Sequence, residues 1–329
     1  MLPKIYVFLL IITLTGCLET SRPDHKNNLA IAAAPVEDTT SQVSDNVISL
    51  FGNELPPLKI SNRKLRQTNR MILMYQQAFD TYPDSLSILM KYARALDEIG
   101  NRKQAEEVYS LGAEKFPRAS EVFQYRGLNL IMLRSFEAAV KNLEMAVLLN
   151  RNISSTSDIY LDPNLSEGSK QFYSWYYLGL AYYYNRNYDS AISSFRKCIE
   201  ITEKDDLIVM TYYWLYIMYQ EIGNPKIASS FLKKIDTKMV IEKSKDYYRG
   251  LLLFKGVFKP GRLMQFTVDA DDNIIYPVQA YALAIWYKLN ERPIEGMELI
   301  NRIVGTYRWN DYGYLAAEVD SYYVVNNLN

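Results

Sequence analysis

Residues able to do covalent or acid–base chemistry are few in this chain. Its 329 residues include two cysteines, Cys17 and Cys198, and a single histidine, His25. Nucleophilic catalysis needs Ser or Cys beside a positioned base, so a Cys–His or Ser–His pair has only one place to form. That place is unsuitable. His25 lies between Leu18 and about Leu58, a stretch rich in Ser, Thr, Asn, Asp and Pro. No helical period persists there beyond an Ala-rich patch at Leu29 to Ala34, so the segment reads as a flexible tether. Neither G-x-S-x-G, a P-loop nor H-E-x-x-H occurs. The pair Asp205-Asp206 is expected to cap the following helix and suit its dipole. Asp269-Ala270-Asp271-Asp272-Asn273 fails as a calcium loop: Ile274 stands where the turn needs Gly, and Ala280 where a bidentate Glu belongs. A solvated acidic turn is expected instead. No catalytic residue, cofactor or metal is predicted.

Cys17 follows a short basic start, Met1 to Lys4, and an apolar run from Ile5 to Thr15. That run is too short to span a bilayer and reads as an export signal. The sequence Leu14-Thr15-Gly16-Cys17 resembles the lipobox of bacterial lipoproteins. The resemblance implies cleavage before Cys17, diacylation of its thiol and a membrane anchor. Each buried methylene adds about 0.8 kcal/mol, and several chains together anchor stably. Leu18 stands where an Asp would signal inner-membrane retention, which implies the outer membrane of a Gram-negative envelope. The expected organisation is a signal peptide at 1–16, a tether at 17–58 and a folded domain at 59–329.

Lys+Arg and Asp+Glu are both 37, a balance that argues against nucleic acid as a partner. The 49% hydrophobic fraction supports a packed core. After about Ile60, apolar residues recur at i, i+3, i+4 and i+7 between short Gly, Asn, Asp or Pro breaks, which predicts helices. Only Gln265 to Tyr276 suggests an extended piece.

A longer period overlies the helical one. Tyr82-Pro83 and Phe116-Pro117 are 34 residues apart, as are Ala105 and Ala139; Ala191 and Ala228 continue the series. Trp175-Tyr176-Tyr177-Leu178-Gly179-Leu180-Ala181-Tyr182 matches W-x2-L-G-x2-Y, with Tyr188, Ala191 and Phe195 at matching spacing. On these residues the chain resembles the tetratricopeptide repeat family. The implied fold is all-α, a right-handed solenoid of helix–turn–helix repeats. Repeats are placed at about 86–119, 120–153, 172–205 and 209–242, with a divergent unit at 277–310. A half-repeat covers about 62–85, a further helix 243–256, and a loop is inserted at 154–171. Small residues stand where helix axes cross closely: Gly127 and Gly179 on first helices, Ala105, Ala139, Ala191 and Ala228 on second ones. Cys198 fills another small position and is expected to be buried. The stretch from about Val122 also resembles a group of secreted bacterial tetratricopeptide proteins. Tyr125-Arg126-Gly127, Asp205-Asp206, Trp214-Leu215-Tyr216 and Gly313-Tyr314-Leu315-Ala316-Ala317-Glu318 carry that likeness, which implies fold and no chemistry.

Tyrosine is the remaining signal. There are 28, and 21 of them follow residue 171 together with all four tryptophans. The family resemblance implies that certain positions of each first helix line a concave groove. In the third repeat these are Tyr173, Tyr176, Leu180, Tyr183 and Tyr184, and in the fourth they include Tyr213 and Ile217. The first repeat places Ser87, Met90, Arg94, Asp97 and Glu98 there, and the second Glu121, Gln124, Leu128, Ile131 and Met132. Tyrosine offers large contact area and a hydroxyl at low entropic cost, so a protein or peptide partner is expected in the groove. Stacking of a glycan or small molecule on the same rings is the alternative. A core-filling role for these rings is the competing expectation. The Lys/Asn/Arg carboxylate clamp of chaperone-binding members is absent, so a free acidic C-terminus is not the expected ligand.

Overall fold

The computed structural model describes residues 47–151, 159–160, 168–271 and 273–327. The signal peptide, Cys17, Leu18, His25 and the tether up to residue 46 lie outside the described residues, as does most of the 154–171 insertion.

Among the described residues there are fourteen helices, of which Pro260–Thr267 and Tyr312–Asn327 lie outside the expected units. Helix α1 (Asn62–Thr81) precedes the pairs α2 (Leu86–Glu98) with α3 (Arg102–Lys115), and α4 (Ser120–Met132) with α5 (Phe136–Asn150). Strands β1 (Ile159–Tyr160) and β2 (Gly168–Ser169) then pair antiparallel, Ile159 opposite Ser169. Two further pairs follow, α6 (Lys170–Tyr184) with α7 (Tyr188–Glu200), and α8 (Asp205–Glu221) with α9 (Pro225–Lys233). Helices α10 (Lys245–Phe254) and α11 (Pro260–Thr267) lead to the pair α12 (Pro277–Leu289) with α13 (Pro293–Val304), and α14 (Tyr312–Asn327) ends the array. Local chemistry sets the starts. Ser61, Ser169 and Asn187 accept backbone N–H groups of the helices they precede. Four helices begin with proline, whose fixed φ and missing N–H suit the first helical position.

Each of the five pairs turns through one residue in the left-handed region: Gly100, Arg134, Arg186, Gly223 and Glu291, with φ of +86°, +63°, +58°, +72° and +60°. A left-handed residue satisfies the last carbonyls of the first helix and reverses the chain. Two of the five are arginines, Arg134 and Arg186. Small residues sit at the crossings as expected. A Cβ on Gly179 would come within 2.8 Å of Phe195, and one on Gly127 within 2.5 Å of Leu143.

The apolar interior has two parts. A smaller cluster joins α2, α3 and the start of α4 around Leu89, Leu96, Ala105, Tyr109 and Val122. A larger one runs from Leu130 to Val319 and also takes in Val47 and Leu55. Residues 47–58 therefore depart from the expected tether. Val47 and Leu55 are buried, Ile48 bridges Glu54, and the Leu50 N–H donates to Glu318 Oε1 at 2.8 Å. The Trp309 indole donates to the Pro56 carbonyl at 2.6 Å. The folded region thus begins before residue 59, because Pro56 and Leu50 supply backbone groups that two distant side chains need.

Two smaller expectations are also settled. Asp205 and Asp206 lie in the first turn of α8 but do not cap it. Asp206 accepts the N–H groups of Glu242, Lys243 and Ser244, and Asp205 that of Val240, so the pair fastens the 240–244 segment. Burial works against the charged form of Asp206, and those N–H groups outweigh it, leaving the carboxyl below its usual range. The extended piece expected at Gln265 to Tyr276 is found only in part: its first three residues end helix α11, and a Val268–Ile274 bridge follows, with Asp269 accepting from the backbone of Asp271 and Asn273.

Candidate functional site

The seven residues expected to line a groove, Tyr173, Tyr176, Leu180, Tyr183, Tyr184, Tyr213 and Ile217, are all buried, none exposing more than 4%. Their hydroxyls are used inside the protein. Trp214 donates its indole N–H to Tyr176, which donates to Tyr247 of α10. Tyr183 and Tyr281 of α12 share a hydrogen bond of 2.7 Å. Tyr213 donates to the Val278 carbonyl at 2.7 Å, and Tyr184 to the Tyr312 carbonyl at 3.0 Å. Burial pushes these four tyrosine hydroxyls well above their usual range. The expectation of an open tyrosine-lined surface is corrected by this packing: α10, α12 and the start of α14 cover repeats three and four. Stacking of a glycan on the same rings loses its surface for the same reason.

Helix α14 is held there by the two left-handed arginines. Arg134 Nε and Nη2 donate to Glu318 Oε2 at 3.0 and 2.7 Å, and Nη2 also reaches the Trp309 carbonyl. The side chains of this pair expose 4% and 0%. Arg186 faces Asp320 two residues further along, at 3.5 Å. Equivalent turns of repeats two and three thus grip successive acids of one helix.

The inner face remains open over the first repeat. A cleft of about 530 Å³ is lined by α1, α2 and α4, chiefly Lys64, Met71, Tyr75, Lys91, Arg94 and Tyr125. Arg94, Asp97, Glu98 and Leu128, which the resemblance places on the groove, all face it. Two ion pairs frame one end: Arg102 with Asp97 at 2.9 Å, and Lys64 with Glu98 at 2.9 Å. Asp97 also accepts the Tyr109 hydroxyl at 2.7 Å. Burial raises the Asp97 carboxyl despite Arg102 beside it. The Arg94 guanidinium lies 4.7 Å from the centre of the Tyr125 ring, which stacks in turn on Tyr109. The lining holds four cations, Lys64, Lys91, Arg94 and Arg102, against the two anions Asp97 and Glu98.

A family model for the tetratricopeptide repeat matches residues 172–205, the α6–α7 pair. The α6–α7 pair is a tetratricopeptide repeat. No curated protein matches the chain. Several solved structures are similar at low identity. MamA is 19% identical with a TM-score of 0.43, covering 61% of this chain and 99% of its own. YrrB, described as a tetratricopeptide protein with an unusual peptide-binding site, is 12% identical with a TM-score of 0.41, covering 70% of this chain and 90% of its own. A tetratricopeptide repeat protein from Parabacteroides merdae is 17% identical with a TM-score of 0.43, covering 73% of this chain and 79% of its own.

Other chemistry-bearing groups of the chain serve the fold. Cys198 is fully buried beside the Phe172 carbonyl, and burial pushes its thiol well up. Among the described residues no cluster of three His, Cys, Asp or Glu side chains could hold a metal ion, and no helix is long and apolar enough to cross a membrane. Sequence reasoning missed Asp246 and Asp311. Burial raises Asp246 to about 6, and burial with the charge of Asp246 raises Asp311 to about 7. Both accept nearby backbone N–H groups, of Tyr247 and Gly313 respectively. Asp246 stands in the first turn of α10 and Asp311 just before α14, so an acid at a helix start was the available signal.

Proposed function

We propose that this protein is a non-catalytic scaffold that binds an extended segment of a partner protein in the cleft of α1, α2 and α4. The observation that carries the reading is a contrast along one face: the inner positions of repeats three and four are filled by the chain's own helices, whereas those of repeat one stay open. Lys91 and Arg94 are exposed on α2, and the lining as a whole carries four cations against two anions. Their charge favours an acidic segment, and Met71, Tyr75 and Leu128 offer apolar contact beside it. The lipobox-like Leu14-Thr15-Gly16-Cys17 supports anchoring through lipid on Cys17, with Leu18 favouring the outer membrane, and an assembly role at the cell envelope.

Anisotropy titrations with internal acidic peptides that carry an aromatic residue test the cleft. The Lys91→Glu, Arg94→Glu double variant should lose binding by at least about tenfold with its circular dichroism unchanged. Equal binding by the double variant overturns the reading. Cys17→Ser should move the protein out of the membrane fraction and abolish metabolic labelling with palmitate.

A further inference from the structure

A second cavity, of about 270 Å³, lies where the end of α8, the α6–α7 turn and helices α12, α13 and α14 meet. Its floor is aliphatic, formed by Ala284, Ile285, Met297 and Ile300. Four charged side chains also face it, and they are layered by depth. Asp320 and Glu221 expose only 19% and 18% of their side chains, whereas Arg186 and Lys288 expose 32% and 53%. The inner part of the cavity is therefore negative and its mouth positive.

The inner acids are held in place from behind. Asp320 Oδ2 accepts the Tyr281 hydroxyl at 2.7 Å, and that hydroxyl shares a hydrogen bond with Tyr183. Asp320 Oδ1 has Arg186 only at 3.5 Å, the outer limit of a hydrogen bond. Glu221 takes Lys288 at 2.7 Å, from the end of a flexible stem that is half in solvent. Arg186 is fixed over the Tyr323 ring, 4.7 Å from its centre. A carboxylate in aliphatic surroundings calls for a close cationic partner, and Asp320 has none nearer than this loose contact.

We propose that this cavity binds a small aliphatic zwitterion of amino-acid size, with its ammonium inward against Asp320 and Glu221 and its carboxylate outward towards Arg186 and Lys288. The volume is slightly below the roughly 300–1,000 Å³ of pockets that hold drug-sized ligands, which suits a smaller molecule. A plain amine would leave its tail between two cations, and a plain carboxylate would enter towards two anions. A sugar would find one aromatic face, that of Tyr323, already covered by Arg186. The inference is independent of the cleft on α1, α2 and α4.

Calorimetry on the full chain tests it, with leucine and 5-aminopentanoate as ligands and pentylamine and pentanoate as controls. Both zwitterions should bind, and each control should bind at least about tenfold more weakly. Asp320→Asn should weaken zwitterion binding by about tenfold or more, since it removes the inner charge. Val324 lies at the mouth and is exposed, so Val324→Trp should block entry while leaving the thermal midpoint unchanged. No binding of either zwitterion at about 10 mM, controls that match the zwitterions, or full binding by either variant overturns the proposal.

Discussion

Glu318 shows how much one buried side chain can hold together. It accepts from Leu50 N–H, from Arg134 Nε and from Arg134 Nη2, joining three segments separated by up to 268 residues. A buried pair of this kind need not exceed a well-packed apolar pair in stability, because both charges lose their hydration. Breaking it is a different matter. Glu318→Ala leaves a buried guanidinium and a backbone donor without their acceptor, and should cost about 3–5 kcal/mol in urea denaturation. The exposed pair Arg292–Glu295 provides the contrast, with side chains 47% and 42% open, and Glu295→Ala should leave the urea midpoint unchanged. Equal costs for the two substitutions would show that the Arg134–Glu318 contact does not hold α14. Glu318 was visible in the sequence as part of a family-like run, but nothing in that run named Arg134 as its partner. The reason is distance along the chain: the pair spans 184 residues and no local period records it.

At the scale of elements, the legible features are those set within one repeat. The 34-residue period and the small residues at crossings depend on neighbours a few residues to one repeat away, and the helix pairs appear where they predict. Whether the inner face of a repeat stays open depends instead on later helices returning to it. Tyr184 meets Tyr312 across 128 residues, and Tyr183 meets Tyr281 across 98. The tyrosines of α6 read as a surface in the sequence because the repeat pattern fixes their direction and not what covers them. The close approach of α14 to α12 can be tested at Gly313. A Cβ there would stand 2.3 Å from the Val278 nitrogen and 2.4 Å from the Pro277 carbonyl carbon, backbone atoms that cannot rotate away. Gly313→Ala should therefore cost at least about 3 kcal/mol and speed amide exchange along α14 and α6. Gly261 in α11 has open space around its Cβ position, so Gly261→Ala should be neutral or stabilising by up to about 1 kcal/mol. Unchanged exchange in α6 after the Gly313 substitution would mean that α14 does not secure the tyrosine layer.

Across the whole described region, contacts beyond nearest neighbours change what a repeat array does when it unfolds. A solenoid whose units touch only adjacent units has stability close to a sum of local terms. Here the large apolar cluster includes residues from 47–58, α6, α8, α12 and α14, so its helices are coupled through contacts far apart in sequence. Helices α1 to α3 stand differently, with the smaller cluster of Leu89, Leu96, Ala105 and Tyr109 beneath the open cleft. They contain about a quarter of the described helical residues. All four tryptophans, at 175, 214, 286 and 309, lie outside them. Tryptophan fluorescence thus reports mainly the large cluster, whereas circular dichroism at 222 nm reports both parts. In urea, the dichroism should begin to fall before the fluorescence changes, with an early step near a quarter of the total amplitude. Native-state exchange should give α1 to α3 a lower opening free energy than α6, α8 and α12. Coincident transitions by the two probes would mean that the first repeat is locked to the rest, and would remove the local freedom that a segment entering the α1–α2–α4 cleft would draw upon.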